Sequence, residues 1–321
     1  GGIPGIATRL NRYCEEGILF TNFYANSFRT DRGLVSIFSG YPAQPTTSIM
    51  KYPRKSQTLP SITKTLKQNG YSTTYYYGGD ADFTNMRSYL VSQGISDLVT
   101  EQDFPAKDRT TKWGVHDHIV FQRFLADLQK PQQEPFIKIM QTLSSHEPFD
   151  VPFHKSNDLY LNSVQYTDSC LGEFIEGFKK TKYWANSIIV LVPDHAMHYP
   201  SSIDIRSIER YRIPFLILGG AVKAPGKIDA YASQIDIAAT LLHQFQIPHS
   251  EFTFSKNIVN PDSPHFAFYT FPNGFGFLTL ENHYVYDCAS QSVVVNEGNE
   301  SENRKKGEAY LQILYDDLAS R

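Results

Sequence analysis

The sequence is short of cysteine, of excess charge and of long apolar runs. Its 321 residues include three cysteines, Cys14, Cys170 and Cys288, isolated and without a CxxC spacing. An odd, scattered set argues against a disulfide framework and against a cysteine metal site, and leaves them as small core residues. Lys plus Arg number 30 and Asp plus Glu 33, for a net charge of −3. With neither sign dominant, a broad nucleic-acid-binding face is not expected, and the positive charges that matter should be local. The longest clear apolar run, SIIVLVP, is strand-sized and well short of a bilayer-spanning segment. No signal peptide opens the chain, and its abrupt start at Gly1-Gly2-Ile3-Pro4 reads as a cut piece of something longer. Repeats and low-complexity tracts are absent as well.

What is there is aromatic and alternating. The 22 Phe and 20 Tyr mark a globular chain, long enough for one large α/β domain and a smaller subdomain. ATRLNRYCEEG is helix-like and ILFTNFY strand-like. LPSITKTLKQNG reads as a helix, with Ser61 or a neighbour as its cap and Gly70 as its stop. YSTTYYYG and FIKIMQTLSS are strands, and YLNSVQYTDSCLGEFIEGFKKT is a long amphipathic helix. NSIIVLVPD is a continuous apolar strand, expected in the middle of a parallel sheet. RIPFLILGG is another strand and QIDIAATLLHQF a helix. This alternation predicts a doubly wound, mostly parallel α/β sheet over residues 1–261. From about Asp262 the texture changes to short strands, with turns at Asn273-Gly274 and Glu281-Asn282. A charged stretch, NEGNESENRKKGEA, then leads into the helix AYLQILYDDLAS. Residues 262–321 are expected to form a small antiparallel β plus helix subdomain.

Four strand ends carry reactive side chains. Thr30, between Arg29 and Asp31, opens a helix, where unpaired amides and a partial positive charge suit a phosphate. It is either an N-cap, with Asp31 serving the helix dipole, or a nucleophile activated by a divalent metal. Asp194-His195 closes an apolar strand and is either a metal pair or a polar turn; His198 belongs to the following loop. His146, in SSHEP, is either a proton donor or a surface histidine. Arg87, after Gly78-Gly79-Asp80, is either a phosphate fork or a solvated helical arginine. If the sheet is parallel, the four ends share one rim, and together they have the parts of a phosphoryl-transfer site.

In this order, GILFTNFYANSFRTDRGLVSIFSGYPAQP, YYYGGDADFTNMR, LSSHEPF and ANSIIVLVPDHA resemble the extracellular catalytic domain of lipoteichoic acid synthases and related phosphoglycerol transferases. These belong to the alkaline phosphatase and sulfatase superfamily. The resemblance runs from about Thr8 through SQIDIAATLLHQF, and the C-terminal meander fits the small subdomain of that fold. It implies that Thr30 is a metal-bound nucleophile, with the basic Arg29 beside it. It implies a metal-ligand pair at Asp194 and His195, a glycerol-phosphate-holding arginine at Arg87 and a substrate-pocket histidine at His146. Asp80 and Asn85, in the Gly-Asp loop, join the substrate side. The implied cofactor is one divalent metal, Mn²⁺ first, with Mg²⁺ or Zn²⁺ as alternatives. The implied partners are a phospholipid headgroup donor and a glycan or polyol acceptor. The implied setting is the outer face of a bacterial membrane, with anchoring segments that are not part of this sequence.

Three features depart from the family's pattern. The family's remaining metal ligand, a glutamate at the end of the first sheet strand, would lie upstream of Gly1, and Glu15 and Glu16 belong to an ordinary helix end. The site in this sequence therefore lacks a carboxylate, and the resemblance implies a central strand upstream with it. The histidine that often precedes the acidic residue of the Gly-Asp loop is replaced by Gly78 and Gly79. The tryptophan near the arginine is replaced by Thr84 and Asn85. Sulfate-ester hydrolysis is discounted, because no Cys/Ser-x-Pro-x-Arg string is present. Phosphoethanolamine transferases, usually richer in cystine, are weaker relatives. The competing reading is a catalytically silent module that binds an anion or glycan. Residues encoded before Gly1 would discriminate: an apolar strand ending in Glu-Ser or Glu-Asn favours the enzyme.

Overall fold

The computed structural model describes residues 3–298 and 300–321; Gly1, Gly2 and Asn299 of the stretches quoted above lie outside the described residues. In chain order the helices are α1 (Thr8–Glu16), α2 (Thr30–Ser39), α3 (Pro53–Ser56), α4 (Ile62–Gln68), α5 (Met86–Ser92), α6 (Asp117–Leu128), α7 (Leu159–Phe178), α8 (Ile208–Tyr211), α9 (Ile237–Gln244) and α10 (Glu300–Ser320). The strands of the α/β part are β1 (Ile18–Phe20), β2 (Phe23–Tyr24), β3 (Ser72–Tyr77), β4 (Asp97–Val99), β5 (Phe136–Gln141), β6 (Ile189–Leu191), β7 (Phe215–Leu218), β8 (Gly226–Ile228) and β9 (Ala232–Ser233). They are followed by β10 (Ala267–Phe271), β11 (Gly274–Leu278), β12 (His283–Asp287) and β13 (Ser292–Glu297).

The α/β fold predicted from the alternation is present, but its strands fall into pieces. One sheet has the order β4-β3-β5 and is parallel throughout. A second has the order β6-β7-β1-β8, with β7 antiparallel to both of its neighbours. β2 and β9 make a short parallel pair, and β10 to β13 form the expected antiparallel meander. Two predicted elements need correction here. ILFTNFY is broken into β1 and β2. NSIIVLVPD does not lie in the middle of a parallel sheet: β6 is an edge strand with the antiparallel β7 as its single partner among the described residues.

Burial reports the same division. β7, with neighbours on both sides, is buried at every position, whereas β5 and β6 are half-exposed at every position. A parallel-sheet strand as apolar as Ile188–Val192 normally has a neighbour on each side, so the run reads as central while the structure leaves one side uncovered.

Two apolar clusters hold the layers together. The larger runs from Phe20, Phe23 and Phe215, whose rings pack at 4.4 and 4.5 Å, through α2 and α9 to Phe268 and Leu314 of the C-terminal part. The smaller lies between α1, α6 and α7 and the other sheet faces, centred on Tyr76, Phe124 and Phe174. Each fully buried aromatic contributes about 2 kcal/mol of hydrophobic stabilisation. α1 begins on α7: the Asp168 carboxylate accepts from the Arg9 and Leu10 amides at 2.9 and 2.8 Å, satisfying donors that a first helical turn leaves unpaired.

Candidate active site

Thr30 is the first residue of α2, and the extended Arg29, not Thr30, occupies the N-cap position. The capping alternative is therefore set aside: no side-chain cap bond forms, and the Thr30 hydroxyl has no hydrogen-bond partner among the described residues. Asp31 stands in the first turn, as expected for the helix dipole. Beneath it Arg32 is buried, with its Nε donating to the Gln44 carbonyl at 3.2 Å and its guanidinium 5.1 Å from the Phe28 ring. Burial lowers its pKa against the pull of Asp31. This cation and the helix N-terminus add a positive potential around the hydroxyl.

The Thr30 loop and the Asp194-His195 loop are tied together by groups that sequence reasoning missed. The Gln234 side chain, fully buried, accepts from the Asn26 amide at 2.8 Å. Its Nε2 donates to the carbonyls of Pro193 at 2.7 Å and Asp194 at 2.8 Å. The Ala196 amide donates to the Ser27 carbonyl at 3.1 Å. Asn26 in turn fixes α2, accepting from the Ser36 hydroxyl and the Ala43 amide. Gly33 completes the contact, since a Cβ there would overlap the Asp194 carbonyl. A buried Asn-Gln pair has no distinctive sequence pattern; each looks like an ordinary loop amide until its partners are known.

At the end of β6, His195 Nε2 stands 3.7 Å from the Asp194 carboxylate. Its Nδ1 lies 2.8 Å from the Ala196 carbonyl, which can only accept, so Nδ1 carries the proton and Nε2 keeps its lone pair in the neutral ring. A carboxylate and an imidazole nitrogen thus stand together beside the first turn of α2. That donor chemistry suits a divalent cation, but it is short of a full set: among the described residues, no group of three or more His, Cys, Asp and Glu could hold a metal. His198 is exposed in the following loop.

The remaining site residues follow β3 and β5. Arg87 lies in the first turn of α5, and its Nε donates to Asp82 at 2.8 Å, which raises its pKa. Part of the predicted phosphate fork is therefore already engaged by a carboxylate. Asp80 accepts from the Asp82 amide at 2.8 Å, an intraloop bond, and Asn85 is exposed in a left-handed conformation at φ 64°. Buried Tyr77 links the two regions. Burial, and then the charges of Asp194, Asp80 and Glu101, push its phenol up to about 12, so it stays protonated.

His146 is exposed on the turn after β5, with Nδ1 3.0 Å from the Glu147 carbonyl. The turn is fixed by Asp117, a buried carboxylate absent from the sequence-based set. It accepts from the amides of Leu143 at 2.7 Å and Ser144 at 3.2 Å and from the Thr167 hydroxyl at 3.0 Å. Burial pushes its carboxyl up against those bonds.

With this geometry in view, the comparisons are informative. The family described as Sulfatase matches residues 3–247. A lipoteichoic acid synthase-like protein, YvgJ, of Bacillus subtilis is 25% identical over 316 residues, covering 88% of this chain and 50% of that protein. A phosphoglycerol transferase I of Xanthomonas campestris is 25% identical, covering 62% of this chain and 31% of that protein. The chain thus spans half or less of the length of these relatives. Among solved structures, an alkaline phosphatase superfamily protein from Vibrio parahaemolyticus superposes with a TM-score of 0.87 at 26% identity, covering 98% of this chain and 82% of that one. The lipoteichoic acid synthase LtaP of Listeria monocytogenes gives 0.84 at 20% identity, covering 98% and 86%.

Proposed function

From the premise that the chain belongs to the sulfatase family, we propose that it is the catalytic part of a phosphodiester transferase that moves a phosphoglycerol group from a phospholipid headgroup to a glycan or polyol hydroxyl. One observation carries this reading: the loop that leads into α2, where the Thr30 hydroxyl is unpartnered, is tied through Gln234 and Ala196 to the loop that carries the Asp194-His195 pair.

The Thr30 oxygen attacks the phosphorus and gives its proton to solvent, the bond from phosphorus to the departing alcohol breaks as His146 protonates that oxygen, and the phosphoglycerol group becomes esterified to Thr30. The α2 N-terminus and Arg87 bear on the charge that develops on the phosphoryl oxygens. His146, having given its proton to the departing alcohol, takes the proton of the entering hydroxyl as that oxygen displaces Thr30, which regains a proton from solvent. Asp194, His195 and Thr30 would hold the divalent cation, Mn²⁺ in preference to Mg²⁺ or Zn²⁺, which when bound lowers the pKa of the threonine hydroxyl. A further carboxylate from elsewhere in the full-length protein would complete the set. The setting proposed for this activity is the outer face of a bacterial membrane; no helix among the described residues is long and apolar enough to cross a membrane.

The test is turnover of a chromogenic phosphodiester by the full-length protein and by its Thr30→Ala variant. The reading requires activity in the first and none in the second. For the residues of this chain taken alone, the incomplete cation set favours a second reading, a silent binding module. That reading predicts anion binding with no turnover in either protein at any divalent metal concentration.

A further inference from the structure

Gly78 and Gly79 stand where the family pattern has a histidine, and the tryptophan expected beside Arg87 is absent; in the structure both departures belong to one arrangement. The segment 111–116 lies directly on the strand end. The Val115 amide donates to the Gly78 carbonyl at 2.7 Å. A Cβ at Gly78 would come within 2.5 Å of the Val115 carbonyl, and one at Gly79 within 2.9 Å of the Trp113 carbonyl. A larger residue at either position would lift this segment away. What the segment brings to the rim is a tryptophan.

Trp113 is held firmly. Thr111 and Gly114 exchange backbone hydrogen bonds at 3.1 and 3.3 Å, the Thr111 hydroxyl accepts from the Trp113 amide at 3.1 Å, and Gly114 takes φ 131°, open to glycine. The Trp113 indole N–H donates to the Glu147 carbonyl, the same oxygen that His146 Nδ1 approaches. The indole and imidazole centroids are consequently 4.6 Å apart at 60°. On the other side Phe83, 57% exposed and four residues before Arg87, meets the indole edge at 5.9 Å. Lys112 Nζ lies 5.3 Å from the ring centroid.

We propose that Trp113, flanked by Phe83 and His146, is a stacking subsite for the sugar or polyol that receives the transferred group. The proposal rests on the transferase reading above and deepens it by assigning the acceptor's position. A flat, preorganised indole beside hydrogen-bonding groups suits the C–H face of a carbohydrate. The wall bridges from the Arg87 loop to His146, so a hydroxyl carried by a stacked ring is presented between the phosphate-holding group and the base. Trp113 meets the Arg87 loop through Phe83.

The chain has two tryptophans, and Trp184 packs away from the site on Phe178 at 5.8 Å. In a Trp184→Phe background, Trp113 is the sole indole reporter. Titration with methyl β-glucoside should shift or quench its emission saturably, whereas inorganic phosphate should not. No response to the glucoside, or a response confined to phosphate or to a short-chain phosphatidylglycerol, overturns the proposal. In the full-length protein, Trp113→Leu should lower the ratio of transfer to hydrolysis about tenfold at fixed glucoside, with Trp113→Phe restoring most of it. A loss in which transfer and hydrolysis fall together signifies a merely structural role and overturns the proposal. If wild-type protein transfers nothing, the transferase reading fails by itself, and the fluorescence titration still decides whether the indole binds sugar.

Discussion

A threonine at a helix start is normally explained by its hydroxyl bonding to the second or third amide, and here it makes no such bond. The two explanations differ in what the hydroxyl contributes to stability. As a cap, Thr30→Ala would cost about 1 kcal/mol. With no partner lost, thermal stability should stay within about 0.5 kcal/mol of wild type while turnover disappears, which calorimetry and an activity assay on one preparation check. His116 offers a separate test through pH. It is buried and faces His118 at 6.0 Å and Tyr166 at 6.1 Å, with Asp150 nearby. Burial, reinforced by His118, lowers its pKa below the ordinary 6.5, against Asp150. A depressed histidine gives stability that is full above its unfolded pKa and is lost as pH falls through the folded value. Melting temperature should therefore decline on acidification below about pH 6.5, and His116→Phe should flatten that decline.

At the scale of elements, the strand-end residues were legible and the ties between them were not. Thr30, Asp194 and His195 stand out because each ends an apolar or aromatic run, a local signal. Gln234, Asn26 and Asp117 do not, because what distinguishes them is burial and partners remote in sequence; Gln234 bonds to residues 208 and 40 positions away. Removing such a group strands several buried donors and acceptors. Gln234→Ala should destabilise the chain by about 1–3 kcal/mol and reduce activity with it, measured by denaturant unfolding and turnover. Asp117→Ala should cost about 3 kcal/mol. It should also speed hydrogen exchange at the Leu143 and Ser144 amides, which lose their acceptor, ahead of the amides of β5. Arg87 shows the opposite lesson: its position was readable, but its engagement by Asp82 depends on a side-chain rotamer that spacing does not specify.

At the scale of the molecule, strand–helix alternation was enough for the α/β class and for the change of texture near Asp262, because periodicity and turn chemistry are local. Sheet membership was not readable, since β6 and a buried central strand have the same apolar composition. We propose the boundary at 261/262 as one between subdomains, although the larger core runs across it. The one-sided pairing of β5 and β6 predicts that their unpartnered amides exchange at least about tenfold faster than those of β3 and β7, a contrast that native-state exchange resolves strand by strand. The account as a whole depends on a covalent bond at Thr30. Full-length protein incubated with a phosphatidylglycerol and Mn²⁺, quenched in acid and mapped by peptide mass spectrometry, tests that bond directly. The peptide containing Thr30 should gain one glycerophosphoryl group, which an added acceptor sugar removes by taking it onto its own hydroxyl. Turnover with that peptide unmodified, or with the group on another residue, would contradict it.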